Sequence, residues 1–538
     1  MKVLVLGLDG ATWKALKPLI DFGVLPNFKK LVNHGCSGIL SSTIPPNTSP
    51  AWPCMATGLN PGKLGVFSTL MRSGINDFHL KPVNSSVYKS RAFWDILSKN
   101  NYRVAIVNMP FLYPVYKVNG FMISGFGTTG RFCVYPDHLY KKVMNGPSRL
   151  LESEVFNMLE TRNLDELSEC VVYINHLKRI IKEETEITLE LGKNISWDLL
   201  FYVISPTDWL QHAFMDKILK LVSKIEKKKL LDILDKEIIA FYQLIDQIVG
   251  HFLRLLNRNG VLFIVSDHGF TVRPLTFNIS KWLVQEGYMK IRRDASFGGK
   301  NSINDKIIGI VKAVPKDFLI KILPRKILSY LGSKYIEAYV KSDLDISQQI
   351  DFKDSRIFCL EDSEGIYVNP RTSNNEILDK LIKDLKNTLE NHYGLKLEVF
   401  KGSEIYRGKK AGLAPDLIIK IRDGAYIWEK STDINKPLVF KPRTPGIHDS
   451  NGIFVAYGPI IKEGNNIEDL QIFDIAPTIL DIFNLTTQKS MDGRVMQEIF
   501  NETSNIRRKT ISYQNNGSIN EDLIRRIESF KKRNARAY

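Results

Sequence analysis

Cysteine is scarce in this chain of 538 residues, and its spacing excludes two kinds of site. The five cysteines are Cys36, Cys54, Cys133, Cys170 and Cys359, an odd number with no Cys-x-x-Cys pair. A disulfide framework, or a zinc site built from cysteines alone, would need paired cysteines at regular spacing. The sequence therefore predicts reduced, buried thiols in a cytoplasmic protein.

Long apolar runs are also missing. No run approaches the roughly 18 apolar residues that a membrane-spanning helix needs. The run after Lys2 extends only from Val3 to Leu8 and ends in Asp-Gly, whereas a secretory signal has a longer apolar core followed by small residues. We therefore expect a first β-strand here and no membrane-spanning helix. Internal repeats and low-complexity linkers are absent from the sequence as well.

Negative charge is in deficit, because 58 acidic residues face 74 lysines and arginines, which leaves a net charge of +16. The chain is 44% hydrophobic and 25% charged, as in soluble globular proteins. Its length suits one large domain with insertions, or about two to three domains. The positive charge fits a phosphate ester, nucleic acid or acidic lipid as partner, and fits equally a surface of solvated lysines.

Three acidic residues each follow a short run rich in Val, Ile and Leu. They are Asp9, Asp208 and Asp267, with His212 four residues after Asp208 and His268 directly after Asp267. Such runs indicate buried parallel strands, and ligands of open α/β sheets bind beyond the carboxyl ends of the strands. The sequence therefore predicts that carboxylates and imidazoles meet at one sheet edge, as a two-metal site requires.

Carboxylate oxygens and imidazole nitrogens are ligands for zinc and manganese. Asp208 and His212 would share one face of a helical turn, and Asp267 and His268 could serve two different ions. A further candidate is His448, in a turn-rich loop before a strand. A capped turn or an exposed loop histidine explains each fragment on its own, so only the combination indicates a metal site.

Two adjacent hydroxyl groups, those of Thr48 and Ser49, are candidate nucleophiles. They precede Pro50, which suits the first turn of a helix, so one of them would lie at or near the N-cap. A hydroxyl there gains metal activation, and the positive end of the helix favours an incoming phosphate. A plain capping hydroxyl explains the same spacing.

In chain order, these segments resemble the alkaline phosphatase superfamily. The resemblance is greatest to its type I phosphodiesterase/nucleotide pyrophosphatase branch, and within it to the predicted phosphohydrolase/phosphomutase proteins, and it covers about residues 1–500. The segments that carry it are Gly7–Ala11, Pro45–Trp52, Ala56–Gly62, Asp208–His212, Ser266–Gly269, Gly446–His448, Ala456–Pro459, Asp474–Thr478 and Met491–Arg494.

The resemblance implies two sets of metal ligands: Asp208, His212 and His448 for one ion, and Asp9, Asp267, His268 and Thr48 for the other. The two divalent ions are expected to be Zn²⁺, with Mn²⁺ as the alternative. They would clamp the attacking and leaving oxygens of an in-line displacement at phosphorus. The implied reaction is hydrolysis of a phosphodiester or phosphomonoester through a phosphothreonine on Thr48.

Departures from the family pattern concern the substrate. Related nucleotide-cleaving enzymes place an aromatic residue after the nucleophile, where it stacks on a base, and this chain has Ser49 there. They also have an asparagine about 20 residues further on that contacts phosphate, and here the region holds Ser68 and Thr69. The familiar Pro-x-x-His-Gly lacks its histidine, which is Leu64 here. Nucleotide specificity therefore does not follow from the resemblance.

Two alternatives stay open. A phosphotransferase or phosphomutase would use the same phosphothreonine. A non-catalytic protein that binds an anionic or membrane surface and keeps a structural metal site is the alternative from another class, although the complete ligand set weighs against it. The expected partner is a small-molecule or lipid-linked phosphate ester; nothing specifically indicates nucleic acid, and the oligomeric state does not follow from the sequence.

The alternation of strands and helices over residues 1–110, with one helix expected over about residues 15–34, predicts an α/β protein, with a three-layer α/β/α core, a mainly parallel central sheet and an inserted α/β cap. We assign residues 1–270 to the first part of the core, with about 110–195 as a helical cover, 271–440 to the cap, 441–500 to the last part of the core, and 501–538 to a basic tail.

A basic amphipathic stretch, residues 306–341, is split by Pro315 and Pro324. It suits an acidic lipid interface if its apolar face is free. A surface helix packed on the core explains it too, and we favour that interpretation because most amphipathic helices are of this kind. The predicted location is therefore the cytoplasm, with peripheral contact to the inner face of the membrane as the alternative.

Overall fold

The computed structural model describes residues 1–75, 77–126, 131–144, 155, 158–159, 161–257, 259–292, 349–360, 365–371, 376–421, 437–502 and 504. The strands of these parts are β1 (Lys2–Leu8), β2 (Cys36–Ser41), β3 (Leu70–Gly74), β4 (Asp77–Pro82), β5 (Val104–Met109), β6 (Gly120–Ser124), β7 (Val134–Tyr135), β8 (Leu199–Ile204), β9 (Gly260–Val265), β10 (Gly269–Val272), β11 (Thr276–Phe277), β12 (Ile357–Cys359), β13 (Gly365–Val368), β14 (Leu397–Lys401), β15 (Leu417–Ile421), β16 (Val439–Phe440), β17 (Gly446–Asp449), β18 (Asn451–Tyr457) and β19 (Asn465–Gln471).

The α-helices of the same parts are α1 (Trp13–Asp21), α2 (Pro26–Asn33), α3 (Thr48–Thr57), α4 (Pro61–Leu64), α5 (Phe93–Lys99), α6 (Tyr140–Met144), α7 (Leu167–Asn194), α8 (Pro206–Glu226), α9 (Ile233–Leu256), α10 (Ile279–Gln285), α11 (Glu376–Lys386), α12 (Gly402–Ile405) and α13 (Ile475–Ile482). None of them is long and apolar enough to cross a membrane. All five cysteines are buried as thiols.

The central sheet has nine strands in the order β19-β2-β18-β9-β1-β8-β5-β6-β7. Strands β18 and β7 run antiparallel to their neighbours, and the other pairings are parallel. The expected mainly parallel sheet is therefore confirmed. Its middle strands β1, β8 and β9 are almost entirely buried, which explains their continuous apolar sequences.

Helices cover both faces of this sheet. Along β1, Leu4 and Leu6 face a core that includes α1, α2, α7, α8 and α9, whereas Val3 and Val5 face a core that includes α3, α5 and α13. Successive side chains of a strand point to opposite faces, so one apolar run supplies both cores. The structure thus has the predicted three α/β/α layers.

A second sheet of four strands, in the order β12-β13-β15-β14, has its own apolar core. Helices α10 and α11 pack on it, and Phe67, Leu70 and Leu80 of the segment around β3 and β4 join them. The boundaries predicted for the cap and the tail stay predictions. The basic stretch 306–341 and residues 505–538 lie outside the described residues.

One predicted helix is divided in the structure. The single helix expected over about residues 15–34 is two helices, α1 and α2. Gly23 has a φ of +78° in the turn between them, and Pro26 begins the second helix. A left-handed glycine ends a helix, and a proline is favoured at a helix start, so the break has a local cause.

Candidate metal centre and active site

The central strands deliver three carboxylates to one edge of the sheet. Strand β1 is hydrogen-bonded in parallel to both β8 and β9. Asp9 follows β1, Asp208 lies in the first turn of the helix after β8, and Asp267 lies two residues after β9. Because these strands are adjacent and parallel, residues at their carboxyl ends meet, and all three aspartates are buried.

His448 reaches the same place through a two-stranded ribbon. Strand β10 begins directly after His268 and pairs antiparallel with β17, so that Phe270 lies opposite His448. The sequence placed His448 in a loop before a strand, whereas it lies within the short strand β17. This pairing joins segments nearly 180 residues apart, so no local sequence pattern predicts it.

Thr48 is the first residue of α3, and its neighbour Asn47 is the N-cap. The Asn47 side chain accepts a hydrogen bond from the backbone N–H of Ser49 at 3.0 Å. The threonine hydroxyl is therefore not needed as a cap. Thr48 Oγ1 instead lies 3.1 Å from His268 Nε2, whereas Ser49 is buried and its Oγ contacts Thr69 Oγ1 at 2.9 Å.

Two groups of side chains have the composition of metal sites. In each group, one ligand atom per residue lies within 4.8 Å of the others, and the groups are Asp208, His212 and His448, and Asp9, Asp267 and His268. We call them the first and the second cluster. In the first, Nε2 of His448 is 3.3 Å from Asp208 Oδ1; in the second, Nε2 of His268 is 3.2 Å from Asp267 Oδ2. The rings of His268 and His448 stack at 3.8 Å, so the clusters adjoin.

Backbone carbonyls fix the three imidazoles in one tautomer. Nδ1 of His212 contacts the carbonyl of Gly446 at 3.3 Å, and Nδ1 of His448 contacts that of Pro46 at 3.1 Å. Nδ1 of His268 contacts the carbonyl of the next residue at 3.1 Å. A carbonyl only accepts, so each Nδ1 donates its proton and each Nε2 presents a lone pair to the clusters. This is how protein imidazoles are oriented for metal binding.

Polar atoms without partners test whether the clusters fit cations. Within the described residues, Asp9 Oδ1, Asp208 Oδ1 and Asp267 Oδ2 are buried with no hydrogen-bond partner. The Nε2 atoms of His212 and His448 lie 3.0 Å apart with their lone pairs facing each other. A buried acceptor without a donor is costly. A cation in each cluster would satisfy the atoms of that cluster, so the residues fit two metal ions.

Burial shifts the protonation of the clusters. It raises the pKa of Asp9 well above its ordinary value, to which the nearby Asp267 and Asp208 add, and it raises the pKa of Asp267 to about 7. Burial also lowers the pKa of His212 to about 4 and that of His268 well below its ordinary value. The imidazoles of His212 and His268 are therefore neutral near pH 7, which is the form that binds metals.

Sequence patterns did not identify the residues that support these ligands. Phe270 is fully buried and contacts the ring of His212, at 4.8 Å between centroids, as well as the other two imidazoles. Trp52 Nε1 donates to Asp9 Oδ2 at 3.4 Å. A Cβ on Gly7 would lie 2.5 Å from the Trp52 ring, so this glycine makes room for the indole. Trp52 stands in a segment that resembles the family, which was the available signal, whereas Phe270 follows directly after such a segment.

A family model described as type I phosphodiesterase / nucleotide pyrophosphatase matches residues 3–451. The chain belongs to this family. No curated protein sequence matches it. Family membership identifies a phosphoric ester hydrolase, and the metal-type clusters fit this activity, which together weigh against the non-catalytic alternative.

Solved structures share the fold. Murine ectonucleotide pyrophosphatase/phosphodiesterase 5 matches at a TM-score of 0.50 and 13% identity, covering 93% of this chain and 100% of that one, and the human enzyme gives the same values. An inactive threonine-to-alanine variant of the murine enzyme, in complex with AMP, matches at 0.51 and 13%, with the same coverage. A mutant of alkaline phosphatase PafA matches at 0.50 and 12%, covering 93% and 98%. At such identities the likeness concerns the fold.

Proposed function

We propose that the protein hydrolyses a phosphate ester through a phosphothreonine on Thr48, with two divalent ions held by the first and second clusters. The observation that carries the proposal is the hydroxyl of Thr48, 3.1 Å from His268 Nε2, beside buried carboxylate oxygens that have no partner in the described residues. The inactive threonine-to-alanine variant of the murine relative supports a threonine in this role.

The proposed reaction has two steps, and Thr48 takes part in both. Thr48 Oγ1 forms a bond to phosphorus while the bond to the leaving oxygen breaks, and water then releases the phosphoryl group from the threonine. The phosphate enters at the N-terminus of α3, where the helix dipole favours an anion. Divalent ions in the two clusters would lower the pKa of the threonine hydroxyl and offset the charge of the transferred group. Zn²⁺ is the expected metal, and Mn²⁺ is the alternative.

The residue after the nucleophile bears on the substrate. Ser49 is buried and hydrogen-bonded to Thr69, so this position offers no aromatic surface for a nucleobase. We therefore propose a small-molecule or lipid-linked phosphate ester and do not transfer the AMP ligand of the murine relative to this chain.

The test combines metal analysis with an ester panel. Purified protein should contain about two zinc or manganese ions per chain, and chelation should abolish turnover of its best phosphomonoester or phosphodiester. Activity should return on adding one of these metals. Full activity in a preparation stripped of metal would refute the proposal.

A pair of neighbouring variants isolates the nucleophile. Thr48→Ala should lose several orders of magnitude in kcat and retain both ions, whereas Ser49→Ala should lose far less. Brief reaction with a phosphorus-labelled substrate followed by acid quench should label wild type and leave Thr48→Ala unlabelled. An added alcohol acceptor tests the phosphotransferase alternative, because transfer in place of hydrolysis would yield the acceptor's phosphate ester. If Ser49→Ala lost its activity and Thr48→Ala did not, the nucleophile would be Ser49 and the proposal for Thr48 would be wrong.

A further inference from the structure

One peptide bond connects the two clusters. Thr207 Oγ1 contacts the carbonyl oxygen of Asp9 at 2.6 Å, and the N–H of Gly10 donates to Asp267 Oδ1 at 3.0 Å. That carbonyl and that N–H belong to the same peptide unit, between Asp9 and Gly10. Thr207 is buried and directly precedes Asp208, a member of the first cluster. A hydrogen-bonded path therefore runs from the helix of the first cluster to a carboxylate of the second.

The contact lengths favour donation of the single Thr207 hydroxyl proton to the Asp9 carbonyl. A second carbonyl, that of Ile204, lies 2.9 Å from the same oxygen, but it already accepts the backbone N–H of Asp9 at 3.1 Å. The contact with the Asp9 carbonyl is shorter. Donation to a peptide carbonyl polarises the peptide and strengthens the hydrogen bond that its N–H donates, here to Asp267.

The hydrogen bond from the Gly10 N–H determines which carboxylate oxygen of Asp267 is left to bind an ion. Oδ1 is held by the Gly10 N–H, so Oδ2 is left facing His268 Nε2 at 3.2 Å. Gln211 Nε2 donates to the carbonyl of Gly10 at 2.8 Å and keeps the same loop in place from the next turn of α8. The carboxylate is thus oriented by groups on the helix that also carries Asp208.

We propose that Thr207 is a positioning residue, which acts through the Asp9–Gly10 peptide to orient Asp267 for the ion of the second cluster. The inference rests on the proposed two-ion function. It adds that a residue in the first turn of α8, the helix that carries Asp208 of the first cluster, sets the metal affinity of the second cluster. Partners that orient ligating carboxylates in this way are worth about 10- to 100-fold in metal affinity.

The test compares Thr207→Val, which keeps the shape and loses the donor, with Thr207→Ser, which keeps the donor. Zinc affinity of metal-free protein is measured by competition with a chromophoric chelator. His212→Ala leaves the second cluster as the intact site, and His268→Ala leaves the first. In the His212→Ala background, Thr207→Val should weaken zinc binding about 10- to 100-fold, whereas Thr207→Ser should stay within about 3-fold of its parent.

In the His268→Ala background, Thr207→Val should change zinc affinity less than about 3-fold. Equal losses in both backgrounds, or no loss in either, would overturn the inference, provided far-ultraviolet circular dichroism shows the variants folded. Wild-type protein that binds no zinc or manganese would instead overturn the proposed function on which the inference rests.

Discussion

Gly10→Ala is the substitution whose effect the structure determines most closely. Gly10 has a φ of +67°, and a Cβ there would lie 2.6 and 2.9 Å from two carbons of the Phe270 ring and 3.1 Å from Asp208 Oδ1. The ring is fully buried between imidazoles, so it cannot swing into open space. The substitution should therefore disturb both the backbone and the ligands around it.

Two terms add in the free energy of unfolding. An L-residue in the left-handed region costs about 1–2 kcal/mol. Forcing extra volume against a packed ring costs about 1–3 kcal/mol more. Gly10→Ala should thus destabilise the protein by about 2–5 kcal/mol. Gly23→Ala is the matched control, because Gly23 has a φ of +78° and a Cβ there would meet no atom within 4 Å. It should show only the backbone cost.

Thermal and urea unfolding of the metal-free variants would compare the two costs. Zinc competition and the ester assay would then show whether the active site has moved. Gly10→Ala should lose metal affinity and turnover, and Gly23→Ala should keep both. If the two variants were alike in stability and activity, the close contact between Gly10 and Phe270 would have no energetic meaning, and our account of the site's packing would be refuted.

Other buried groups give further expected outcomes. Asn47→Ala should cost about 1 kcal/mol in unfolding experiments because Asn47 is the N-cap, and Thr48→Ala should cost less because Thr48 is not. Since burial raises the pKa of Asp267 to about 7, zinc binding should release protons and weaken below that pH, as calorimetry in buffers of different ionisation enthalpy would show. Burial also raises the pKa of Asp474 from 3.8 to about 6. The folded chain then binds this proton more tightly than the unfolded chain, so stability should fall by about 3 kcal/mol as the pH rises through this interval, and Asp474→Asn should remove that slope.

The central strands could be predicted because burial on both faces leaves a direct trace in sequence. Strands β1, β8 and β9 are almost wholly apolar, and each is followed within a few residues by an acid. The rule that ligands bind beyond the carboxyl ends of parallel strands then brings Asp9, Asp208 and Asp267 together without any knowledge of distances. Family resemblance supplied the pairing of histidines with aspartates, which composition and spacing left open.

The supporting contacts could not be predicted, because they depend on pairings between distant segments. Phe270 is one apolar residue among many until β10 pairs with β17 and sets it beside His448. Thr207 has the pattern of an ordinary residue in a first helical turn, and its role depends on the carbonyl of a residue 198 positions earlier. The N-cap of α3 was predicted to within one residue. The local sequence indicated Thr48 or Ser49 at or near the N-cap, and the structure has Asn47 there.

The two clusters differ in how their ligands are held, and this difference has consequences for the reaction. In the second cluster the side chains of Asp9, Asp267 and His268 are at most 4% exposed. In the first, the side chain of His212 is 30% exposed and that of His448 is 13% exposed. The hydroxyl of Thr48 therefore contacts the more buried of the two clusters, through His268 Nε2 at 3.1 Å. The first cluster faces the solvent from which substrate and water arrive, so in the proposed reaction Thr48 would attack from the buried second cluster, and product and water would exchange at the first.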